Sequence, residues 1–218
     1  MGSNFQQEDL LYQSSPVYLY EILLIFPPGD IMRTFFCLEL PEVVRNEARS
    51  VGSSIDSPAY VKWVSGDNLH ITLKFLGDID GGRVEEIRER AEGTAGRAES
   101  FEMKLDKLGG FPNLGFPKVI WLGSNSSPDE IFKLHRDLDE SLFGLGFEKE
   151  DRDYVPHVTL GRTKDDDDGK IEQLGQRLRE MNFDRSWTVP IEKLTLMQSE
   201  LRSDGPVYTP LFRAELGG

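Results

Sequence analysis

One short pattern occurs twice in this chain. His70-Ile71-Thr72-Leu73 and His157-Val158-Thr159-Leu160 both read histidine, apolar residue, threonine, leucine. In an extended strand, residues i and i+2 point to one face. Each copy therefore presents an imidazole and a hydroxyl side by side and turns its apolar residues toward a core. The chain has three histidines and eight threonines. Chance would give two of the three histidines a threonine at this offset about 0.005 of the time, the false-positive rate that such a motif must beat.

The surroundings of the two copies match as well. Phe35 precedes His70 by 35 residues and Trp121 precedes His157 by 36. Arg33–Leu40 reads as a strand, Pro41–Ser50 as a helix opened by proline, and Leu69–Gly77 as a second strand. The second interval repeats this order. Lys118–Gly123 is a strand, and a helix with Ser127 as N-cap runs to about Phe143 with Ile131, Leu134, Leu138 and Leu142 along one face. Gly144 and Gly146 end it, and Val155–Thr163 is the second motif strand. Gly82–Arg97 and Ile171–Met181 read as further helices, and Phe101–Leu108, Val189–Met197 and Val207–Glu215 as strands. This is a degenerate internal duplication. The expected class is α+β: two pseudo-symmetric αβ lobes with mainly antiparallel sheets around a central cleft, each lobe contributing one histidine.

Residues 1–31 stand apart. They hold no Lys or Arg, and Glu21 interrupts the apolar run Val17–Phe26, which is far short of the ~20 residues of a membrane span. A secretory signal needs a basic start. The segment reads as an N-terminal extension with a strand at Tyr18–Ile25, and the functional domain is expected over 32–218. Cys37 is the only cysteine, so no disulfide can form within the chain, and a cytoplasmic, reducing location is expected. It lies in an apolar run and reads as a small buried hydrophobe. The formal charge of −13 argues against a protein that coats extended nucleic acid, because such binders rely on many cation–phosphate contacts. It leaves room for an enzyme that grips one phosphate at a chain end.

Paired imidazoles and hydroxyls suit one reaction in particular. Opening a cyclic phosphodiester with water needs one group to take a proton from water and another to give a proton to the departing oxygen. Histidine can play either part near neutral pH. Threonine hydroxyls can donate to the non-bridging oxygens, whose charge must be held through the transition state. No metal or cofactor is needed. A zinc site is the weaker reading, since no Cys or carboxylate pattern accompanies the histidines. His135 reads as a surface residue in mid-helix. The Asp165–Asp168 run reads as a solvated turn that lacks the spaced ligands of a calcium loop.

From Met32 to about Leu216 the chain resembles the RNA 2′,3′-cyclic phosphodiesterases, or 2′-5′ RNA ligases (LigT-like), of the two-histidine phosphoesterase superfamily. The resemblance is carried by Arg33–Pro41, Asn68–Gly77, Pro156–Arg162 and Gly205–Leu211. It implies hydrolysis of an RNA-terminal 2′,3′-cyclic phosphate to a 2′-phosphate, with a weak reverse 2′-5′ ligation. It also implies His70 as proton donor, His157 as proton acceptor, and Thr72 and Thr159 as phosphate-holding residues. Arg162 would be a further phosphate contact and Phe75 a base-stacking surface, although strict alternation puts both off the histidine face. Phe75 reads equally well as core, Arg162 also as a surface cation, and Lys74, which shares the parity of His70, as an exposed lysine. The expected partner is an RNA end, such as a tRNA fragment, with no membrane and no second copy of the chain. Rival readings are a hydrolase of a small cyclic phosphate such as a cyclised ADP-ribose product, a non-catalytic RNA-end binding module, and an interaction protein using the acidic surface.

Overall fold

The computed structural model describes residues 27–203 and 205–217; the strand expected at Tyr18–Ile25 lies outside them. The first half runs β1 (Ile31–Glu39), α1 (Glu42–Ser54), β2 (Val61–Trp63), β3 (His70–Asp80), α2 (Val84–Ala95), β4 (Phe101–Leu105) and β5 (Lys107–Phe111). The second runs β6 (Val119–Gly123), α3 (Asp129–Phe143), β7 (His157–Thr163), α4 (Asp168–Glu180), β8 (Trp187–Ile191), β9 (Lys193–Arg202) and β10 (Gly205–Glu215).

Local chemistry sets these boundaries. Pro41 caps α1 at a position where its missing N–H removes no helical bond. Helix α3 starts one residue later than expected. Pro128 rather than Ser127 is the N-cap, no side chain caps the helix, and Asp129 and Glu130 face the positive end of its dipole. The acidic run before α4 is more than a solvated turn: Asp167 accepts a hydrogen bond from the Lys170 amide (3.2 Å) and caps the helix. Along α3, Ile131, Leu134, Leu138 and Leu142 are all buried. Cutting Leu138 back to alanine would cost about 2–5 kcal/mol through the cavity left behind.

Two stretches that read as single strands are each two. The chain switches sheets at Asp106 and at Glu192. On one side of each break β4 pairs with β8, and on the other β5 pairs with β6 and β9 with β1. Periodicity gives the face of a strand and is blind to which partner it has.

The main sheet has the order β10-β9-β1-β3-β7-β6-β5, with β2 also on β7, and every pairing is antiparallel. An approximate twofold passes between β3 and β7 and relates β1 to β6 and β9 to β5. Each half lends its final strands to the other, and β4 and β8 form a two-stranded sheet across the same axis. The fold is α+β, mainly antiparallel, in two similar lobes. They meet where Ile71 lies opposite Val158, which are the apolar residues following each histidine. Both are fully buried and join one continuous core with Leu38, Leu122, Val51 and Ile131. Among the described residues, no helix is long and apolar enough to cross a membrane.

Candidate active site

The Ile71–Val158 seam fixes the geometry of both motifs. In an antiparallel pair the neighbours of an opposed pair are also opposed, so His70 faces Thr159 and Thr72 faces His157. Two imidazoles and two hydroxyls thus alternate around the point where the lobes meet.

A β-bulge follows in each strand. Cys37 pairs with Thr72 while Phe36 pairs with Lys74, leaving Leu73 unpaired. Likewise Trp121 pairs with Thr159 and Ile120 with Gly161, leaving Leu160 unpaired. One extra residue shifts the alternation by one. Leu73 and Lys74 both turn inward, and Phe75 returns to the histidine face, where it is 62% exposed. Leu160 and Gly161 turn inward, and Arg162 returns to that face. The bulges resolve the parity conflict: Phe75 is outside the core, and Phe75 and Arg162 line one cleft with His70, Thr72 and Thr159. That cleft has a volume of about 890 Å³. They also correct the spacing relation, since register makes Cys37, rather than Phe35, the counterpart of Trp121.

Each imidazole is held by its Nδ1 atom. His70 Nδ1 lies 2.8 Å from the Asn68 carbonyl oxygen, and His157 Nδ1 lies 2.7 Å from that of Val155. A carbonyl only accepts, so Nδ1 carries hydrogen in both rings and Nε2 is left as the exchangeable atom. In His70 that atom is 3.0 Å from Thr72 Oγ1, whose hydroxyl donates to it. Asn68 is itself fixed by an Nδ2 hydrogen bond to the Pro206 carbonyl (2.7 Å).

Aromatic rings hold the imidazoles from the sides. Phe35 stacks on His70 at 4.9 Å and Tyr208 meets it edge-on at 5.4 Å. Phe111 meets His157 edge-on at 5.0 Å, with Trp121 at 6.1 Å. Trp121 lies on Gly109, where a Cβ would come within 2.2 Å of the indole, so this face of β5 has to stay bare. Burial pushes the proton affinity of His70 down to about 4, assisted by the charge of His157 and opposed by the Asn68 carbonyl. Burial also lowers His157, with Arg162 assisting and the Val155 carbonyl opposing. Both shifts favour the neutral ring at neutral pH.

Lys74 and His135 are not surface residues. Lys74 is 2% exposed; it pairs with Asp139 of α3 and donates to the Glu148 carbonyl (2.7 Å). His135 is buried and stacks on Tyr154 with ring centroids 4.1 Å apart. The Tyr154 hydroxyl donates to the Thr72 carbonyl (3.0 Å). The segment that delivers His157 is therefore fastened to the strand that carries His70 at two points. Local sequence gave no sign of this, because the partners lie 82 and 74 residues apart. Cys37 is buried, and burial raises its thiol far above the ordinary range, so it packs as a small hydrophobe. Among the described residues, no cluster of three or more His, Cys, Asp or Glu could hold a metal ion.

Known proteins resemble this chain in sequence and in fold. The family model of the 2′-5′ RNA ligase superfamily matches residues 43–202. An RNA 2′,3′-cyclic phosphodiesterase of Methanothermobacter thermautotrophicus is 34% identical over 83% of this chain and 96% of its own. One from Methanocaldococcus jannaschii is 34% identical over 81% of this chain and 96% of its own. The structure of E. coli LigT in its apo form superposes with a TM-score of 0.70 at 25% identity, covering 87% of this chain and all of that one. The form complexed with 3′-AMP gives 0.68 at 26%, covering 86% and 99%.

Proposed function

The chain belongs to the 2′-5′ RNA ligase superfamily, and from that premise we propose that it is an RNA 2′,3′-cyclic phosphodiesterase acting by metal-independent acid–base catalysis. The observation that carries this reading is the pair of imidazoles on either side of the β3–β7 seam. Each is pinned at Nδ1 by a backbone carbonyl, which leaves Nε2 for proton transfer.

The cyclic phosphate lies between the two rings. His157 Nε2 takes a proton from water as the water oxygen bonds to phosphorus. His70 Nε2–H gives its proton to the ribose 3′-oxygen as the P–O3′ bond breaks, leaving the phosphate on the 2′-oxygen. Thr72, Thr159 and Arg162 hold the non-bridging oxygens. Thr72 moves its hydroxyl from His70 to the phosphate when substrate enters. Phe75 stacks on the terminal base. The phosphate anion also supplies a counter-charge for a protonated His70. Buried beside a negative group, an imidazole gains proton affinity, so binding the substrate arms the acid.

With an RNA 5′-hydroxyl in place of water, the same groups form a 2′-5′ bond: His157 takes the hydroxyl proton as its oxygen bonds to phosphorus, and His70 protonates the departing 3′-oxygen. The protein works on free RNA ends such as tRNA fragments, as a cytoplasmic monomer, with residues 32–218 forming the catalytic unit.

The test is incubation of the protein with an oligonucleotide ending in a 2′,3′-cyclic phosphate, in excess EDTA, with the product read by phosphorus NMR. A 2′-phosphomonoester formed at the full rate supports the proposal. A rate abolished by EDTA and restored by zinc or manganese overturns its metal independence, and a 3′-phosphate product overturns the leaving-group assignment.

A further inference from the structure

The cleft extends beyond the groups that handle the phosphate. Past the bulge in β7, Arg162 and then Lys164 sit on the cleft side. Strand β2 sets Lys62 directly opposite Arg162, and Arg49 of α1 reaches the same wall. Four cations thus line one side of the cleft in a chain of formal charge −13, with Asp67 among them. Elsewhere some cations are paired and others stand singly; Lys74, Arg88, Arg177 and Arg213 have carboxylate partners. Among the described residues, no ion pair neutralises any of the four in the cleft.

Like charges opposed across an antiparallel pair destabilise it. The Lys62–Arg162 pair is therefore a cost to the fold that a polyanion lying over it would remove. An exposed aromatic residue precedes these cations in the chain. Tyr60, two residues before Lys62, is 65% exposed. Its backbone is fixed at both ends: its N–H donates to Asp165 Oδ2 (3.2 Å) and its carbonyl accepts from the Lys164 amide (2.9 Å). Exposed aromatic rings combined with cations are the usual platform for single-stranded nucleic acid.

The chemistry of the substrate says which part of the RNA comes here. A 2′,3′-cyclic phosphate occupies both hydroxyls of the last ribose, so the rest of the strand can leave only through that ribose's 5′-oxygen. Where β7 ends, Arg162 and Lys164 are spaced by roughly 7 Å, two residues of extended chain, a span that one nucleotide step covers. Resting on the reaction proposed above, we propose that Lys62, Lys164 and Arg49, with Tyr60 as stacking platform, form a second subsite for the single-stranded RNA immediately 5′ of the cyclic phosphate. The protein therefore selects an oligonucleotide end over a mononucleotide or a small cyclised ADP-ribose product.

The experiment uses the full chain with two substrates: adenosine 2′,3′-cyclic monophosphate and a tetranucleotide ending in the same group. kcat/KM is measured against NaCl concentration for wild type, for the double variant Lys62→Ala/Lys164→Ala, and for Tyr60→Ala. Wild type favours the tetranucleotide, and its log kcat/KM falls with log salt. Each lost phosphate contact lowers that slope by about 0.7, so the double variant lowers it by about 1.4. Tyr60→Ala raises the tetranucleotide KM about tenfold, the scale of one lost base stack. Turnover of the mononucleotide stays within about twofold of wild type in all variants, which also reports that they are folded. An unchanged salt slope on the tetranucleotide, or equal losses on both substrates, overturns the subsite while leaving the reaction standing. Failure of wild type to open either substrate overturns the reaction itself, and the subsite with it.

Discussion

Replacing Lys74 with methionine should damage this protein more than a surface lysine ever could. The ammonium sits at 2% exposure against Asp139, whose side chain is 13% exposed, and also donates to the Glu148 carbonyl. Methionine fills a similar volume, so little of the effect comes from a cavity. What remains is a carboxylate left in the interior with no counter-charge. Breaking one side of a buried pair costs about 3–5 kcal/mol, which in a chain of this length lowers Tm by roughly 6–20 °C. Removing both charges relieves that penalty, so Lys74→Met/Asp139→Leu should regain most of the loss. The assay is urea unfolding of wild type, both single variants and the double variant, with the slope against urea checked for constancy. A Lys74→Met loss below about 1 kcal/mol, or a double variant no better than the single, would refute the view that this pair is desolvated.

The remaining predictions concern the two rings. Because burial holds both histidines below their ordinary value in the free protein, kcat/KM should fall on the alkaline side with a midpoint under about 6.5. Substrate anion raises the affinity of the acid, so kcat should hold to higher pH; coincident limbs would contradict this. Between about pH 6.5 and 4 the unfolded chain binds more protons than the folded one. Stability therefore rises with pH across that window and is lost as pH falls through it, with His70 accounting for up to about 3 kcal/mol. Urea midpoints measured from pH 7 to 4 check the sign. An ester that releases a stable phenolate needs no general acid, so it should restore activity to His70→Ala and leave His157→Ala slow. The opposite pattern would reverse the roles.

Much of this molecule is legible in its sequence because duplication leaves a repeated signal. Two copies of one motif, each with strand, helix and strand before it, give the class and the two-lobed plan. What alternation could not give is the pair of bulges. A strict period of two sends Lys74 to the cleft and Phe75 to the core, and the structure does the reverse in β3. The matching offset of Phe75 from His70 and of Arg162 from His157 is the one sequence sign of it. The rings of Phe111 and Tyr208 and the cation Lys62 reach the site through register between distant strands, and no local pattern encodes register; the Tyr154 hydroxyl arrives from the loop before β7. His135 reads as a surface residue in mid-helix, yet the ring lies flat on Tyr154.

The central claim is that His70 and His157 act as one acid–base pair. Single-turnover rates on a 2′,3′-cyclic phosphate oligonucleotide test it most directly, measured for His70→Ala and His157→Ala with folding verified by circular dichroism. Loss of general acid or base catalysis slows the reaction about 10²–10⁴-fold, or roughly 3–5.5 kcal/mol of barrier. The account predicts a loss of that size in each variant. A folded variant that keeps more than about a tenth of the wild-type rate would contradict it.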